Sequence, residues 1–345
     1  MGGPSSDKKN DMNTSIRSLF KQYNENTPGC AVGVIQNGNI LSDYYVGLAD
    51  VRKRKPISIN TSFRLASLTK PFTAMAIMIL EEQNVISYDD NLQRYFCGFP
   101  LYGRNITIRQ LLSHTSGVRD HEKPLYPLVR KNNTPTLLDA LCVLNRTRKT
   151  YFTPGSRFRY SDAGYVLLAL IIERVSGMTY AQFLTRVIFK PLKLDNTIVC
   201  ENERISIPQR AMGYKRNTNL YEIFDNDRLN YIVGDEGIYS TISDLAKWTI
   251  AWETDVLVRK STLSFALEPY RLSDRTEGRC GFAWFIERGI NTVRFQDGIW
   301  VGFTNIMLTD VLTKTTVIVL SNTRDYRTET DRVAIARQVL SLYRI

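Results

Sequence analysis

The stretch RLASLTKPFTAMAIMIL, Arg64 to Leu80, sets a serine and a lysine three residues apart, Ser67 and Lys70, where an apolar helix begins. Residues at i and i+3 are neighbours on a helical surface, so a helix over Ser67–Gln83 would carry both side chains on one face. In the first turn, the Ser67 hydroxyl would gain from nearby backbone N–H groups and the positive helix end. A lysine held in an apolar pocket has a lowered pKa and can take or relay a serine proton. Ser-Lys catalysis of this sort is a recognised alternative to a Ser-His-Asp triad. Taken alone, the simpler reading is an N-capping Ser67 and a surface Lys70.

Outward from that stretch, the chain has 345 residues, enough to bury a substantial core as one large domain or two interleaved ones. A hydrophobic content of 43% and a charged content of 23% are ordinary for a globular protein. No run reaches the roughly 18–20 apolar residues of a membrane span. The beginning, MGGPSSDKKNDMN, is polar with no apolar leader, so residues 1–12 are expected to be a disordered tail. It fits the loose pattern Met-Gly-x-x-x-Ser through Gly2 and Ser6, a weak signal for N-myristoylation at Gly2. Five cysteines, Cys30, Cys97, Cys142, Cys200 and Cys280, are scattered and never form a CxxC pair. That argues against a disulfide framework and a zinc site, and fits a reducing cytoplasm.

The formal net charge is +11. Its densest basic run, Arg52-Lys53-Arg54-Lys55, lies between strand-like stretches and is explained by a solvated hairpin. No recognisable RNA- or DNA-binding motif accompanies the charge, so no dedicated nucleic-acid partner is expected.

Strand patterns cluster at the two ends of the chain. Ala31–Gln36 and Asn39–Gly47 flank Asn37-Gly38, a strong hairpin signal. Gly281–Glu287, Thr292–Gln296, Thr304–Leu308 and Thr315–Leu320 follow late in the sequence. Helices are expected at Thr14–Tyr23, Thr107–Ser113, Ala163–Ser176 with Gly177 as its cap, Thr241–Trp252 and Thr328–Leu342. This order predicts an α+β (mixed α/β) domain over 13–345. Its antiparallel sheet would be built by both termini, about 13–65 and 276–345, with a helix-rich region over about 66–275 inserted.

A conventional serine triad needs a histidine, and the chain has only His114 and His121, with no GxSxG elbow. The context of Ser67 is more informative. Phe63-Arg64-Leu65-Ala66-Ser67-Leu68-Thr69-Lys70-Pro71-Phe72-Thr73 resembles the first motif of the beta-lactamase-related serine hydrolases, which include class C beta-lactamases, DD-peptidases, D-aminopeptidases and esterases. Further matches follow in order: Leu111 to Gly117 (LLSHTSG), Tyr160-Ser161-Asp162 for the Tyr-x-Asn motif, Gly234 to Thr241 for a glycine-rich segment, and Gly298 with Val301-Gly302-Phe303. The ordered set spans roughly Ala31 to Asn322 and is far more specific than any single member.

The resemblance implies that Ser67 is the nucleophile of an acyl-enzyme, with Lys70 and Tyr160 as its proton partners. It implies an oxyanion hole from the backbone N–H groups of Ser67 and Ile299, and a substrate position lined by Asp162, Gln296 and Gly298. It implies no metal and no cofactor. His114 and Ser116 are expected to shape a turn, and His121, in a polar loop, has no assigned role. The loop Asp120 to Asn133 is expected to shape the pocket.

Two departures bear on the substrate. Asp162 replaces the family's asparagine; a carboxylate there would keep Lys70 protonated, shift the base role toward a Tyr160 phenolate, or bind a substrate amine together with Asp235 and Glu236. Gln296 replaces a lysine or histidine that holds a substrate carboxylate, which makes penicillin hydrolysis doubtful and favours neutral or amine-bearing esters and amides over lactams. The alternatives are an acyltransferase using the same acyl-enzyme, beta-lactamase or D-amino-acid peptidase activity, and an inactive binding protein that retains the fold.

Overall fold

Alternating apolar side chains directed to two separate cores build a six-stranded antiparallel sheet from the two ends of the chain. The computed structural model describes residues 14–128, 134–218, 220–289, 292–324 and 331–343. The expected tail, residues 1–12, and the Gly2 pattern lie outside them, as do the end of the Asp120–Asn133 loop and the start of the last expected helix. Strands β1 (Cys30–Gln36) and β2 (Asn39–Val46) form the first hairpin. Asn37 and Gly38 both have positive φ, 50° and 76°, as a two-residue turn of matching twist requires. β3 (Phe285–Glu287), β4 (Val293–Trp300), β5 (Phe303–Asp310) and β6 (Thr315–Ser321) complete the sheet in the order β3-β4-β5-β6-β1-β2. β1 and β6 pair from Cys30 opposite Ser321 to Gln36 opposite Thr315, so the sheet is closed by the two chain ends, as expected.

One face of the sheet, with Cys30, Val32, Val34, Val317 and Val319, packs on Ile16, Phe20, Val339 and Leu340 from the terminal helices. The other, with Ala31, Ile35, Ile318 and Leu320, faces the inserted helical region. Covering both faces explains why β5 and β6 are buried at every position, with apolar centres at Ile306-Met307-Leu308 and Val317 to Leu320 between polar ends. The helical region is organised by α1 (Lys70–Glu82) and α2 (Asp162–Ser176), each buried all round over most of its length. Phe72 of α1 stacks on Trp248 of α3 (Ile242–Ile250), ring centroids 3.9 Å apart, which joins α1 to the helix beneath the sheet. Gly177 ends α2 in the left-handed conformation expected of a C-terminal glycine, φ 69°.

Several boundaries differ from expectation. Ser67 precedes the α-helix, in a 3₁₀ turn over Ala66–Thr69, because Pro71 fits the first turn of a helix that starts at Lys70. β4 runs on to Trp300 through Asp297 and Gly298, poor strand formers that pairing with β5 holds in place. β3 is confined to Phe285–Glu287, and the final helix α4 is Arg332–Ser341. α3 begins as expected at Thr241, which caps it by accepting from the Asp244 N–H at 3.2 Å, and ends at Ile250. The basic run is a hairpin tip, as expected: Leu48–Asp50 pairs with Lys55–Pro56, and Arg52, Lys53 and Arg54 are exposed. All five cysteines are free. Among the described residues no single helix is long and apolar enough to cross a membrane.

One buried side chain fastens the Ser67 turn to the sheet. Asn305 of β5, 1% exposed, donates from Nδ2 to the carbonyls of Arg64 (2.9 Å) and Leu65 (3.2 Å) and accepts the Ser321 N–H on Oδ1 at 3.2 Å. Truncation would strand buried groups, each worth about 1–3 kcal/mol. Asn305→Ala should therefore lower unfolding free energy by roughly 2–3 kcal/mol in urea titration, against under about 0.5 kcal/mol for an exposed control such as Asn217→Ala.

Candidate active site

The short strand Phe63–Arg64 is clamped antiparallel to Ile238–Ser240 and delivers the chain into the 3₁₀ turn. Ala66, just before the nucleophile candidate, has φ 53°, a left-handed conformation that a non-glycine residue adopts only when its surroundings hold it there. In a 3₁₀ turn side chains at i and i+3 eclipse. That geometry, rather than an α-helical face, brings the Lys70 Nζ to 2.8 Å from the Ser67 Oγ. Ser67 does not cap the helix, and Lys70 is not a surface residue: its exposure is 0%.

β4 passes directly over this turn. A Cβ on Gly298 would lie 2.4 Å from the Leu65 carbonyl oxygen and 3.0 Å from the Ser67 nitrogen, so only glycine permits the approach. Beyond Phe295, β4 has no strand partner on the β3 side among the described residues. The two-residue turn Val301-Gly302 pairs Trp300 with Phe303. Alternation along an antiparallel ladder then turns the Ile299 N–H away from β5, toward the open edge and the Ser67 turn. Gly298 thus contributes through its backbone and its lack of a side chain.

The Lys70 ammonium has three partners: Ser67 Oγ, an Asp162 carboxylate oxygen at 2.6 Å and the Asp235 carbonyl at 3.2 Å. Burial alone would strip its proton, but the opposing charge of Asp162, with Tyr160 and Asp235, holds its pKa well above the ordinary lysine value. Burial works against the Asp162 charge as well, yet the adjacent ammonium keeps that carboxyl below its ordinary value. The pair is therefore ionised, and the lowered lysine pKa expected from an apolar pocket is overturned by Asp162.

Tyr160 stands beside this pair, with the Lys70 Nζ 4.9 Å from its ring centroid. Its ring lies between His114 (centroids 4.3 Å apart, 24° between planes) and Phe285 (6.1 Å, 7°). Burial raises the phenol above its ordinary pKa, outweighing Lys70, so the free protein carries a neutral Tyr160 rather than the expected phenolate. Gln296, 1% exposed, donates from Nε2 to the Tyr160 hydroxyl at 2.9 Å and to the Asp297 carbonyl at 3.0 Å. It holds the phenol without bringing charge.

His114 has the structural role expected of it. Buried at φ 58°, it accepts the Ser161 N–H on Nδ1 at 3.1 Å and so fixes the segment carrying Tyr160 and Asp162. Burial and the neighbouring Lys70 charge depress its pKa to about 3, which keeps it neutral. Ser116 accepts the Val118 N–H at 3.3 Å within the same turn.

The sequence reading missed one wall of the site. His121, expected in a polar loop, is 1% exposed and precedes Glu122 at the start of a short helix, Glu122–Leu125. Carboxylate oxygens of Glu122, Asp162 and Asp235 lie within 4.8 Å of one another, the arrangement that could hold a cation. Lys70 already serves Asp162 from inside the protein, which weighs against a metal ion at that carboxylate. Burial raises Glu122 to about 7 and pushes Asp235 and Glu236 well above the carboxylate range. The side-chain Oδ1 of Asp235, a residue 4% exposed, has no hydrogen-bond partner among the described residues. Trp300, Leu229 and Ile232 close the same recess. No local pattern announces Glu122: it meets Asp162 and Asp235 only through the fold.

Known proteins share this arrangement of chain. The Beta-lactamase family model matches residues 16–340. Penicillin-binding protein 4* of Bacillus subtilis is 33% identical over 331 residues, which cover 91% of this chain and 72% of that protein. The octameric penicillin-binding protein homologue from Pyrococcus abyssi superposes with a TM-score of 0.81 at 24% identity, covering 99% of this chain and 77% of that one. The D-amino acid amidase from Ochrobactrum anthropi SV3, solved with D-phenylalanine, gives a TM-score of 0.80 at 21% identity, covering 96% and 99%. With a match running almost from end to end, the chain belongs to the Beta-lactamase family of serine hydrolases.

Proposed function

We propose that the protein hydrolyses small esters or amides through an acyl-enzyme on Ser67, with Lys70 and Tyr160 as proton partners. The observation that carries this reading is the buried ammonium 2.8 Å from Ser67 Oγ and 2.6 Å from Asp162. Transfer of one ammonium proton to the Asp162 carboxylate would leave Lys70 as a neutral amine. That amine takes the Ser67 proton as Oγ attacks the substrate carbonyl. The Ser67 and Ile299 N–H groups receive the developing oxyanion, a contribution of about 3–4 kcal/mol per donor in related chemistry. When the C–O or C–N bond breaks, Tyr160 protonates the leaving group and recovers a proton from Lys70, and Asp162 returns the borrowed proton. Water then repeats the steps with Ser67 as leaving group; an alcohol in place of water gives acyl transfer.

The substrate reading rests on charge. The neutral Gln296 offers no cation for the carboxylate that a penicillin carries, which counts against lactams despite the name of the Bacillus relative. Asp162 is engaged by Lys70, so the seat of a substrate amine shifts from Asp162 with Asp235 and Glu236, where the sequence reading put it, to Asp235 with Glu122. An acyl group bearing an ammonium would supply the cation that these buried carboxyls lack. The five free cysteines support a cytoplasmic setting.

Three measurements test these steps. A fluorophosphonate should add once to the wild-type protein, read by intact mass, and not to Ser67→Ala; an unlabelled, well-folded wild type would refute the nucleophile. In Asp162→Asn, burial alone acts on Lys70 and lowers its pKa. On a neutral ester, kcat/KM should then fall about tenfold or more at pH 6 and recover as pH rises, whereas the wild type stays flat. An unchanged profile would remove Asp162 from proton transfer. Glu122 gains its charge above about pH 7. The kcat/KM ratio of a cationic ester to its neutral isostere should rise through that pH and level out in Glu122→Gln.

A further inference from the structure

The acidic wall and the apolar side chains beside it enclose very little space. The recess lined by Glu122, Asp235, Leu229, Ile232 and Trp300 has a volume of about 10 Å³, room for a single water-sized group. It adjoins the reactive groups: the Asp235 carbonyl accepts from Lys70 Nζ at 3.2 Å, and the same Nζ is 2.8 Å from Ser67 Oγ. Glu122 and Trp300 are half-buried, so two walls of the recess keep contact with solvent.

Three carboxyls set what fits. One oxygen each from Glu122, Asp162 and Asp235 lies within 4.8 Å of the others. A point therefore exists at most about 2.8 Å from all three, which is the length of an N–H···O bond from a cation to a carboxylate. A primary ammonium carries three such donors. Lys70 engages Asp162 at 2.6 Å, and a carboxylate has about four lone-pair sites, so Asp162 can still receive a further donor. Methyl groups on the nitrogen would replace these donors with carbon and would need volume that the recess does not have.

Trp300 closes the space on the side of β4. Its indole Nε1 donates to Asn230 Oδ1 at 2.8 Å, and Asn230 Nδ2 donates in turn to the Asp225 carbonyl at 3.0 Å, so a hydrogen-bonded chain fixes the ring. Leu229 and Ile232, each 3% exposed, are packed against the core and leave no slack. A quaternary ammonium is recognised by a cage of several aromatic rings, whereas acids and aliphatic side chains make up most of this recess.

Resting on the acyl-enzyme reading above, we propose that the recess selects acyl groups bearing an unsubstituted primary ammonium, with Trp300 as the specificity-determining wall that turns away N-methylated ones. The test compares kcat/KM at neutral pH for phenyl esters of glycine and β-alanine and of their N,N,N-trimethyl derivatives. Each is referred to its carbon isostere, in which methyl or tert-butyl replaces the cationic group. For at least one chain length, the primary ammonium ester should exceed its isostere about tenfold or more, and the trimethylammonium ester should gain nothing over its own. In Trp300→Ala, and more weakly in Trp300→Phe, the trimethyl-to-primary ratio should rise, by about tenfold in the alanine variant. This ratio is read within each protein, so an overall loss of rate does not disturb it. Trimethylammonium esters that gain as much as primary ones, or a ratio unchanged in both Trp300 variants, would overturn the inference and leave the acyl-enzyme standing. No hydrolysis of any ester, neutral isosteres included, would overturn the acyl-enzyme reading and this inference with it.

Discussion

A lysine ammonium buried beyond reach of solvent is tolerable only where acceptors and a counter-charge surround it, and the Lys70–Asp162 contact meets that condition. Removing the carboxylate would leave the ammonium stranded, while Asp162, its side chain 35% exposed, keeps access to solvent; the contact ties α1, which begins at Lys70, to α2, which begins at Asp162. The third acceptor, the Asp235 carbonyl, draws in the segment leading to Ile238–Ser240. That strand in turn pairs with Phe63–Arg64 and sets the entrance to the Ser67 turn.

The sheet supplies the complementary constraint. Asn305 on β5 ties down the Arg64 and Leu65 carbonyls, while Gly298 on β4 lets the strand come within van der Waals range of the same turn. Ser67, Lys70, Tyr160 and the Ile299 backbone therefore belong to different layers, held at one point by polar contacts. This arrangement stores some strain, visible in the positive φ of Ala66 and His114, and both residues lie beside the reactive groups.

Much of the fold was legible because its signals are local. Asn37-Gly38 specifies a tight hairpin, Gly177 a helix end, and the apolar runs of β5 and β6 strands covered on both faces. The ordered motifs from Ser67 to Phe303 carried the family. Boundaries were harder where a partner decides. Asp297 and Gly298 look like the end of a strand, and pairing with β5 carries them through. Ser67 looks like the first residue of an α-helix, and Pro71 with the Gly298 contact makes it a 3₁₀ turn instead.

By itself, the sequence determined which residue types are available for chemistry: a serine and a lysine three apart, a tyrosine two before an aspartate, and a glutamine where a cation commonly stands. Tertiary structure alone decided their protonation. Whether Lys70 is charged depends on the balance between lost solvation and the Asp162 carboxylate at 2.6 Å, and whether Tyr160 is neutral depends on burial between His114 and Phe285. The acidic wall of Glu122 and Asp235, distant from each other in sequence, exists only once α2 and the loops around it are packed. Residue identity is written locally, whereas electrostatic free energy depends on distance and solvent access, which only the folded chain defines.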